Sequence, residues 1–278
     1  MMVGDLLIND VTIIIKTFER KACLDRLLKS INDMGLHCSV LVADDSEEPY
    51  KNDILVKYSD IVTEYLLLPF DSGVSAGRNE LLRRVKTPYF VLCDDDFILD
   101  YRTNIEYMIN LLESSELDVL GGLYFDIYPL GLSNIISYLS SILLRRKTGV
   151  QRTVSLSLFE RLRNRKTGVP RRVSGNFEKL DDENWKMTSI EYTPPVTKCD
   201  YVLGFFVART EAVKQKVGGW DESIKIGGEH ETLFLKGKST GLRVGYTEEV
   251  GVVHYPETNH RYRNFRSRGY AFMPTKFK

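Results

Sequence analysis

Apolar residues in this chain fall into short β-branched runs separated by segments of helical spacing. Val11-Thr12-Ile13-Ile14-Ile15 is β-branched at every position, the pattern of a strand buried on both faces of a parallel sheet. Cys23, Leu24, Leu27, Leu28 and Ile31 then recur on one face of a helix, with Lys21, Asp25, Arg26 and Lys29 on the other. Ser39-Val40-Leu41-Val42-Ala43 predicts a second buried strand, so the chain opens as a βαβ unit. A third strand is predicted over residues 64–68, followed by a turn through residues 69–73 and a helix carrying Leu81, Leu82 and Val85. Tyr89-Phe90-Val91-Leu92-Cys93 is a further buried strand. More strands are predicted at 118–125, 199–209 and 250–254, with a helix opening after Gly227-Gly228. Strands alternating with helices predict an α/β fold.

The middle of the chain departs from this rhythm. Leu132, Ile135, Ile136, Leu139, Ile142 and Leu143 recur at helical spacing and run into Arg145-Arg146-Lys147. Two readings fit: a helix covering the sheet, or an interfacial helix making peripheral contact with a membrane. A local repeat follows, in which Arg146-Lys147-Thr148-Gly149-Val150 reappears as Arg165-Lys166-Thr167-Gly168-Val169. Between residues 145 and 172 ten basic residues face Glu160 alone. Residues of about 130–185 therefore read as a basic insertion, either a solvated arm or a holder of an anionic glycan, lipid head group or polyanion.

The totals narrow the classes. With 278 residues, 43% hydrophobic and 27% charged, the chain can bury a large core. Formal net charge is zero, which gives no general attraction to nucleic acid, and aromatics do not interleave with the basic run. Cys23, Cys38, Cys93 and Cys199 lack zinc-type spacing and read as free thiols of a reducing compartment. Neither a secretory leader nor a run of roughly 18 apolar residues is visible, so the expectation is a soluble cytoplasmic protein.

Candidate chemistry gathers where predicted strands end. Asp94-Asp95-Asp96 closes a buried strand, and clustered carboxylates there need a cation. Asp94 and Asp96 would offer hard oxygen ligands to Mg²⁺ or Mn²⁺, which could bridge to a diphosphate. Thr17-Phe18-Glu19-Arg20 and Asp44-Asp45-Ser46 follow the first two strands, the place where open sheets bind ligands. Gly73, Ser75 and Gly77 let backbone approach a ligand at a helix start that also carries Arg78 and Asn79. Glu229, His230 and Glu231 begin a later helix, and His254 ends the last strand. Asp44 also fits a capping role, Arg20 a helix-start charge and Asn79 a loop brace.

In order, these motifs resemble the nucleotide-binding half of GT-A glycosyltransferases of the family 2 type, with Asp94-Asp95-Asp96 similar to their D-x-D motif. The wording of Lys16-Thr17-Phe18, Ala43-Asp44-Asp45-Ser46, Leu68-Pro69-Phe70, Ala76-Gly77-Arg78-Asn79 and Asp94-Asp95-Asp96-Phe97 resembles the β-1,4-N-acetylgalactosaminyltransferases of ganglioside synthase type. The resemblance implies a Rossmann-like, mixed but mainly parallel sheet flanked by helices, in a single domain of two abutting halves, residues 1–100 for the nucleotide sugar and 101–278 for acceptor and catalysis. It implies an inverting, metal-dependent transfer of GalNAc, Gal or GlcNAc from a UDP-sugar to a hydroxyl of a glycan or glycolipid. By position, Thr17, Glu19 and Asp45 would contact uracil and ribose, and Arg78 the base or diphosphate. Asp94 would lie near ribose and metal, Asp96 would be the principal metal ligand, and His254 would complete the metal site. The general base would come from Glu229, His230 or Glu231, with a carboxylate preferred, because a sugar hydroxyl must lose its proton as it attacks. Trp220, after Gly218-Gly219, would either help form the sugar pocket or lie in the core. Two rivals are a nucleotidyltransferase acting on sugar phosphates, which should carry a Gly-rich loop straight after the first strand, and a non-catalytic glycan-binding module.

Overall fold

A computed structural model describes residues 8–127, 168–181, 184–257 and 262–265. The expected helix over 132–143, the first copy of the basic repeat and the tail beyond Phe265 lie outside the described residues.

The β-branched opening forms β1 (Val11–Thr17) and the amphipathic segment after it forms α1 (Lys21–Asp33). The chain continues through β2 (Ser39–Asp44), α2 (Lys51–Tyr58), β3 (Val62–Leu67), α3 (Val74–Arg84), β4 (Tyr89–Asp94) and the two-residue β5 (Phe97–Ile98). Helix α4 (Ile105–Ser114) starts where the Asn104 side chain accepts from the Tyr107 amide at 2.9 Å, an N-cap bond that pairs an otherwise orphaned donor. Then come β6 (Val119–Asp126), β7 (Val169–Arg171), β8 (Ser174–Lys179), β9 (Trp185–Ser189), β10 (Thr197–Cys199), β11 (Tyr201–Val202), β12 (Phe206–Arg209), α5 (Glu229–Ser239) and β13 (Val244–His254).

The main sheet runs β10-β13-β6-β12-β4-β1-β2-β3, with β5 on β13 and β7 on β6. β1 is parallel to β2 and β4, and β2 to β3. β12 lies antiparallel between β4 and β6, and β6 is parallel to β13. β1, β2, β4, β6 and β13 therefore all point the same way, and strands from early and late sequence share one sheet. β8, β9 and β11 form a second, antiparallel sheet.

Both faces of the main sheet are covered, as the β-branched runs required. Ile13 and Ile15 pack with Leu24, Leu27 and Leu28 of α1 and with Met108 of α4. Ile14 points the other way, to Leu81 and Leu82 of α3 and Phe234 of α5. All three isoleucines are fully buried, each side chain contributing about 1.5–3 kcal/mol by leaving water.

The single strand expected over 199–209 is instead three pieces. Asp200 turns the chain by accepting from the Phe177 amide at 2.8 Å, which carries β11 into the small sheet. Gly204, at φ +37°, turns it back into β12. A Cβ on Gly204 would lie 2.3 Å from the Tyr124 hydroxyl and 2.5 Å from Asp94 Oδ2, so only glycine lets the turn pass so close to the strand-end acids.

Candidate active site

Strand direction assembles the site. Lys16 lies in register with Asp94, Thr17 with Asp44, and Asp126 with His254, so the carboxyl ends of five strands place their polar side chains along one sheet edge. Three of these strands, β1, β4 and β13, reach a cleft of about 140 Å³ whose walls carry the cations Lys16, Arg20 and Arg78, the acids Asp94, Asp96 and Glu229, and His254 and Tyr262.

The three acids at the end of β4 have different surroundings. Asp94 keeps a third of its side chain exposed, whereas that of Asp95 is fully buried. Thr17 donates to Asp95 Oδ2 at 2.8 Å. Arg20 spans the pair, one guanidinium nitrogen on Asp95 and the other on Asp96 Oδ2 at 2.7 Å, with the Tyr262 ring 4.2 Å from the guanidinium carbon. Arg20 is thus the counter-ion of the acid cluster, not a solvated helix-start charge. Burial pushes Asp95 up to about 6 against the pull of Arg20. Burial acts the same way on Asp96, but Arg20 and His254 outweigh it and hold that carboxyl well below the usual range.

His254 Nδ1 lies 2.7 Å from Asp126 Oδ1, and its Nε2 faces Asp96 Oδ2 at 3.7 Å. Burial works against its protonation, yet the two carboxylates push it up to about 9. Asp96 and His254 are a hard oxygen and an imidazole on one wall of the cleft; the carboxylate suits Mn²⁺ or Mg²⁺, and the imidazole favours the transition metal Mn²⁺ of the two. No cluster of three or more His, Cys, Asp or Glu side chains that could hold a metal exists among the described residues. Two protein ligands still fit such an ion when a nucleotide's phosphates supply the rest.

Across the cleft, Gly227 and Gly228, both at positive φ, release the chain into α5. Glu229, its first residue, faces the cleft and accepts from Arg78 Nη1 at 3.2 Å, while Arg78 Nη2 donates to Asp94 at 2.7 Å. Arg78 lies over buried Trp220, 5.7 Å from its ring. His230 points away into the core against Phe206. Burial first, then Arg78, hold its imidazole down to about 3, so it is neutral. Glu231 is not among the groups that line the cleft, and burial together with Glu229 pushes its carboxyl up.

None of the remaining predicted residues is among those that line the cleft; they lie in the shell around it. Asp45 pairs with Lys16 and accepts from the Gly73 amide at 2.9 Å; burial raises its pKa despite both. Gly77 leaves room for Lys16, since a Cβ there would lie 2.3 Å from the lysine Cδ. Glu19, at φ 55°, accepts from the Glu47 amide at 2.8 Å. Phe18 packs in a trio with Phe70 and Phe265. Three residues brace loops. Asp44 accepts from the Ser46 and Tyr50 amides and the Tyr65 hydroxyl, Ser75 donates to the Ile224 carbonyl, and Asn79 ties down Trp220 through both its amide and its carbonyl.

Sequence reasoning missed Lys16, Asp126 and Arg171 as site residues. Arg171 donates to Asp126 Oδ2 from Nε at 2.5 Å. Asp126 carries the same sign as Asp44 and Asp94, an acid closing a buried strand, but its partner comes 128 residues later.

Comparison with known proteins bears on this arrangement. The sequence pattern of glycosyl transferase family 2 matches residues 12–169. Beta-1,4 N-acetylgalactosaminyltransferase 1 of Homo sapiens is 31% identical over 244 residues, 88% of this chain and 38% of that protein. Beta-1,4 N-acetylgalactosaminyltransferase 2 of Mus musculus is 43% identical over 114 residues, 41% of this chain and 21% of that protein. The chain thus spans well under half the length of these relatives. Among solved structures, GalNAc-T7 with UDP, GalNAc and Mn²⁺ superposes with a TM-score of 0.59 at 12% identity, covering 94% of this chain and 47% of that one. S. aureus TarS 1-349 in complex with UDP-GlcNAc gives 0.57 at 15% identity, covering 91% and 60%.

Proposed function

The chain belongs to glycosyl transferase family 2, with the GT-A type of fold, and from that footing we propose that its cleft transfers a sugar from a UDP-sugar to a hydroxyl of a glycan or glycolipid, with inversion and with a bound divalent cation. The observation that carries the proposal is the meeting, in one cleft, of Asp94, Asp96 and His254 with Arg78 and Glu229. The names of the relatives favour N-acetylgalactosamine as the sugar, with galactose and N-acetylglucosamine as the alternatives. Residues 1–100 and 101–278 are read as two halves of one domain.

In this proposal Thr17, Phe18, Glu19 and Asp45 border the uracil and ribose. Lys16, Arg20 and Arg78 supply cationic donors for the diphosphate oxygens. A Mn²⁺ or Mg²⁺ ion held by Asp96 and His254, with Asp94 beside them, would neutralise charge on the departing diphosphate. The acceptor oxygen attacks the anomeric carbon from the face opposite the diphosphate, the bond from that carbon to the diphosphate oxygen breaks, and the acceptor proton passes to Glu229. Glu229 is chosen over Glu231 and His230 because it alone of the three faces the cleft. Arg78 orients Glu229 through the bond from its Nη1.

The test is calorimetric titration of UDP into the protein with Mn²⁺ and then with EDTA, followed by UDP release from UDP-GalNAc, UDP-GlcNAc and UDP-Gal. Metal-dependent UDP binding with preferential turnover of one UDP-sugar is the expected result. Folded protein that binds no UDP under either condition would overturn the proposal.

A further inference from the structure

We propose that Asp126 is a positioning residue for the metal-binding edge of the cleft, acting through His254 and held in place by Arg171. The inference rests on the metal reading above and adds residues to it.

β6 and β13 run parallel with Asp126 and His254 as register partners, so the two side chains leave the sheet edge together. Asp126 Oδ1 lies 2.7 Å from His254 Nδ1. An ionised carboxylate can only accept, so Nδ1 carries the proton and donates it. In the neutral ring that a metal requires, the lone pair is then on Nε2, the nitrogen turned toward Asp96 Oδ2 at 3.7 Å. The Phe97 and Tyr124 rings, each with its centroid 5.8 Å from the imidazole, wall the ring in. Backbone bonds from Ile127 to the His254 carbonyl and from Tyr255 to the Asp96 carbonyl, both 2.9 Å, join the three acid- and imidazole-bearing segments. A histidine whose far nitrogen donates to a carboxylate is oriented and made more basic for a metal on its near nitrogen.

Arg171 completes the arrangement. Its Nε donates to Asp126 Oδ2 at 2.5 Å and its Nη2 to Oδ1 at 3.2 Å, a two-pronged grip that fixes the plane of the carboxylate. Arg171 arrives on β7, which pairs antiparallel with β6. The end of the basic insertion is therefore tied directly to the group that orients His254.

The experiment titrates Mn²⁺ into the full chain in the presence of UDP and reads free Mn²⁺ by its electron paramagnetic resonance signal. Wild-type uptake is measured first; without it the metal reading falls and this inference with it. Given uptake, Asp126→Asn, which keeps shape but loses the charge, should weaken Mn²⁺ binding by about 10–100-fold. Arg171→Gln, which keeps the Asp126 carboxylate but loosens its orientation, should weaken it less. In a His254→Ala background neither change should have any further effect, an outcome that a merely structural role would not produce. Wild-type Mn²⁺ affinity in folded Asp126→Asn, or an equal loss with and without His254, would overturn the proposal. Should Asp126→Asn fail to fold, the Arg171→Gln pair decides by the same criterion.

Discussion

Arg78 holds Glu229 across the cleft, Nη1 to Oε1 at 3.2 Å, while its other terminal nitrogen donates to Asp94 at 2.7 Å. One side chain from the helix after β3 thus ties the acids at the end of β4 to the first turn of a helix 151 residues later in sequence. The Arg78 side chain is 3% exposed, so its removal leaves two carboxylates facing each other with little water. Arg78→Ala should lower stability by about 3 kcal/mol, discounted somewhat because Asp94 is partly solvated, and should abolish UDP binding. Urea denaturation and calorimetry read the two effects.

Two substitutions separate the candidate bases. Glu229→Gln should reduce kcat by about 10²–10⁴-fold while UDP affinity stays near that of the wild type. Glu231→Gln, away from the cleft, should change kcat by less than about tenfold. Steady-state kinetics with saturating donor would show the reverse order if Glu231 were the base.

Gly204 is the tightest point beneath Asp94. Gly204→Ala places a methyl group 2.3 Å from the Tyr124 hydroxyl and 2.5 Å from Asp94 Oδ2. The expected cost is about 1–3 kcal/mol, together with weaker UDP-sugar binding as Asp94 is pushed aside. A thermal melt and a donor titration on the same variant check both. Unchanged donor affinity would place Asp94 outside the donor's reach.

His230 predicts a pH signature. Its folded-state value of about 3 lies below the ordinary histidine value of 6.5, so the unfolded chain takes up a proton that the folded protein refuses. Stability is full above about pH 6.5 and falls as the solution is acidified toward 3, with a slope of up to about 1.4 kcal/mol per pH unit for one proton. In His230→Gln this contribution disappears. The variant's stability, measured by urea melts between pH 7 and 4, should fall less steeply than that of the wild type, whatever its level at pH 7.

The residues that sequence reading placed correctly share a local cause. Val11 to Ile15, Leu24 to Ile31 and Tyr89 to Cys93 announce their elements by composition and period alone, because a strand covered on both faces must be apolar throughout. Strand-end acids and the small residues before Arg78 were legible for the same reason. The division of labour among them was not. Asp44 and Asp45 are neighbours in sequence, yet Asp44 is used up by a loop and Asp45 pairs with Lys16, which lines the cleft. Whether a buried carboxylate binds a ligand or braces a turn depends on which donors come within about 3 Å, and those arrive from other strands.

The chain's own pattern therefore determined the alternation of strands and helices, the parallel direction of the early strands, and the fact that acids collect where they end. Tertiary structure alone decided that Arg20 would neutralise Asp95 and Asp96, that Glu229 rather than His230 would face the cleft, and that Asp126 and Arg171 would stand behind His254. Periodicity is a property of neighbours along the chain and survives without a fold. Charge pairing is a property of neighbours in space, and around this cleft it joins residues from 16 to 151 positions apart.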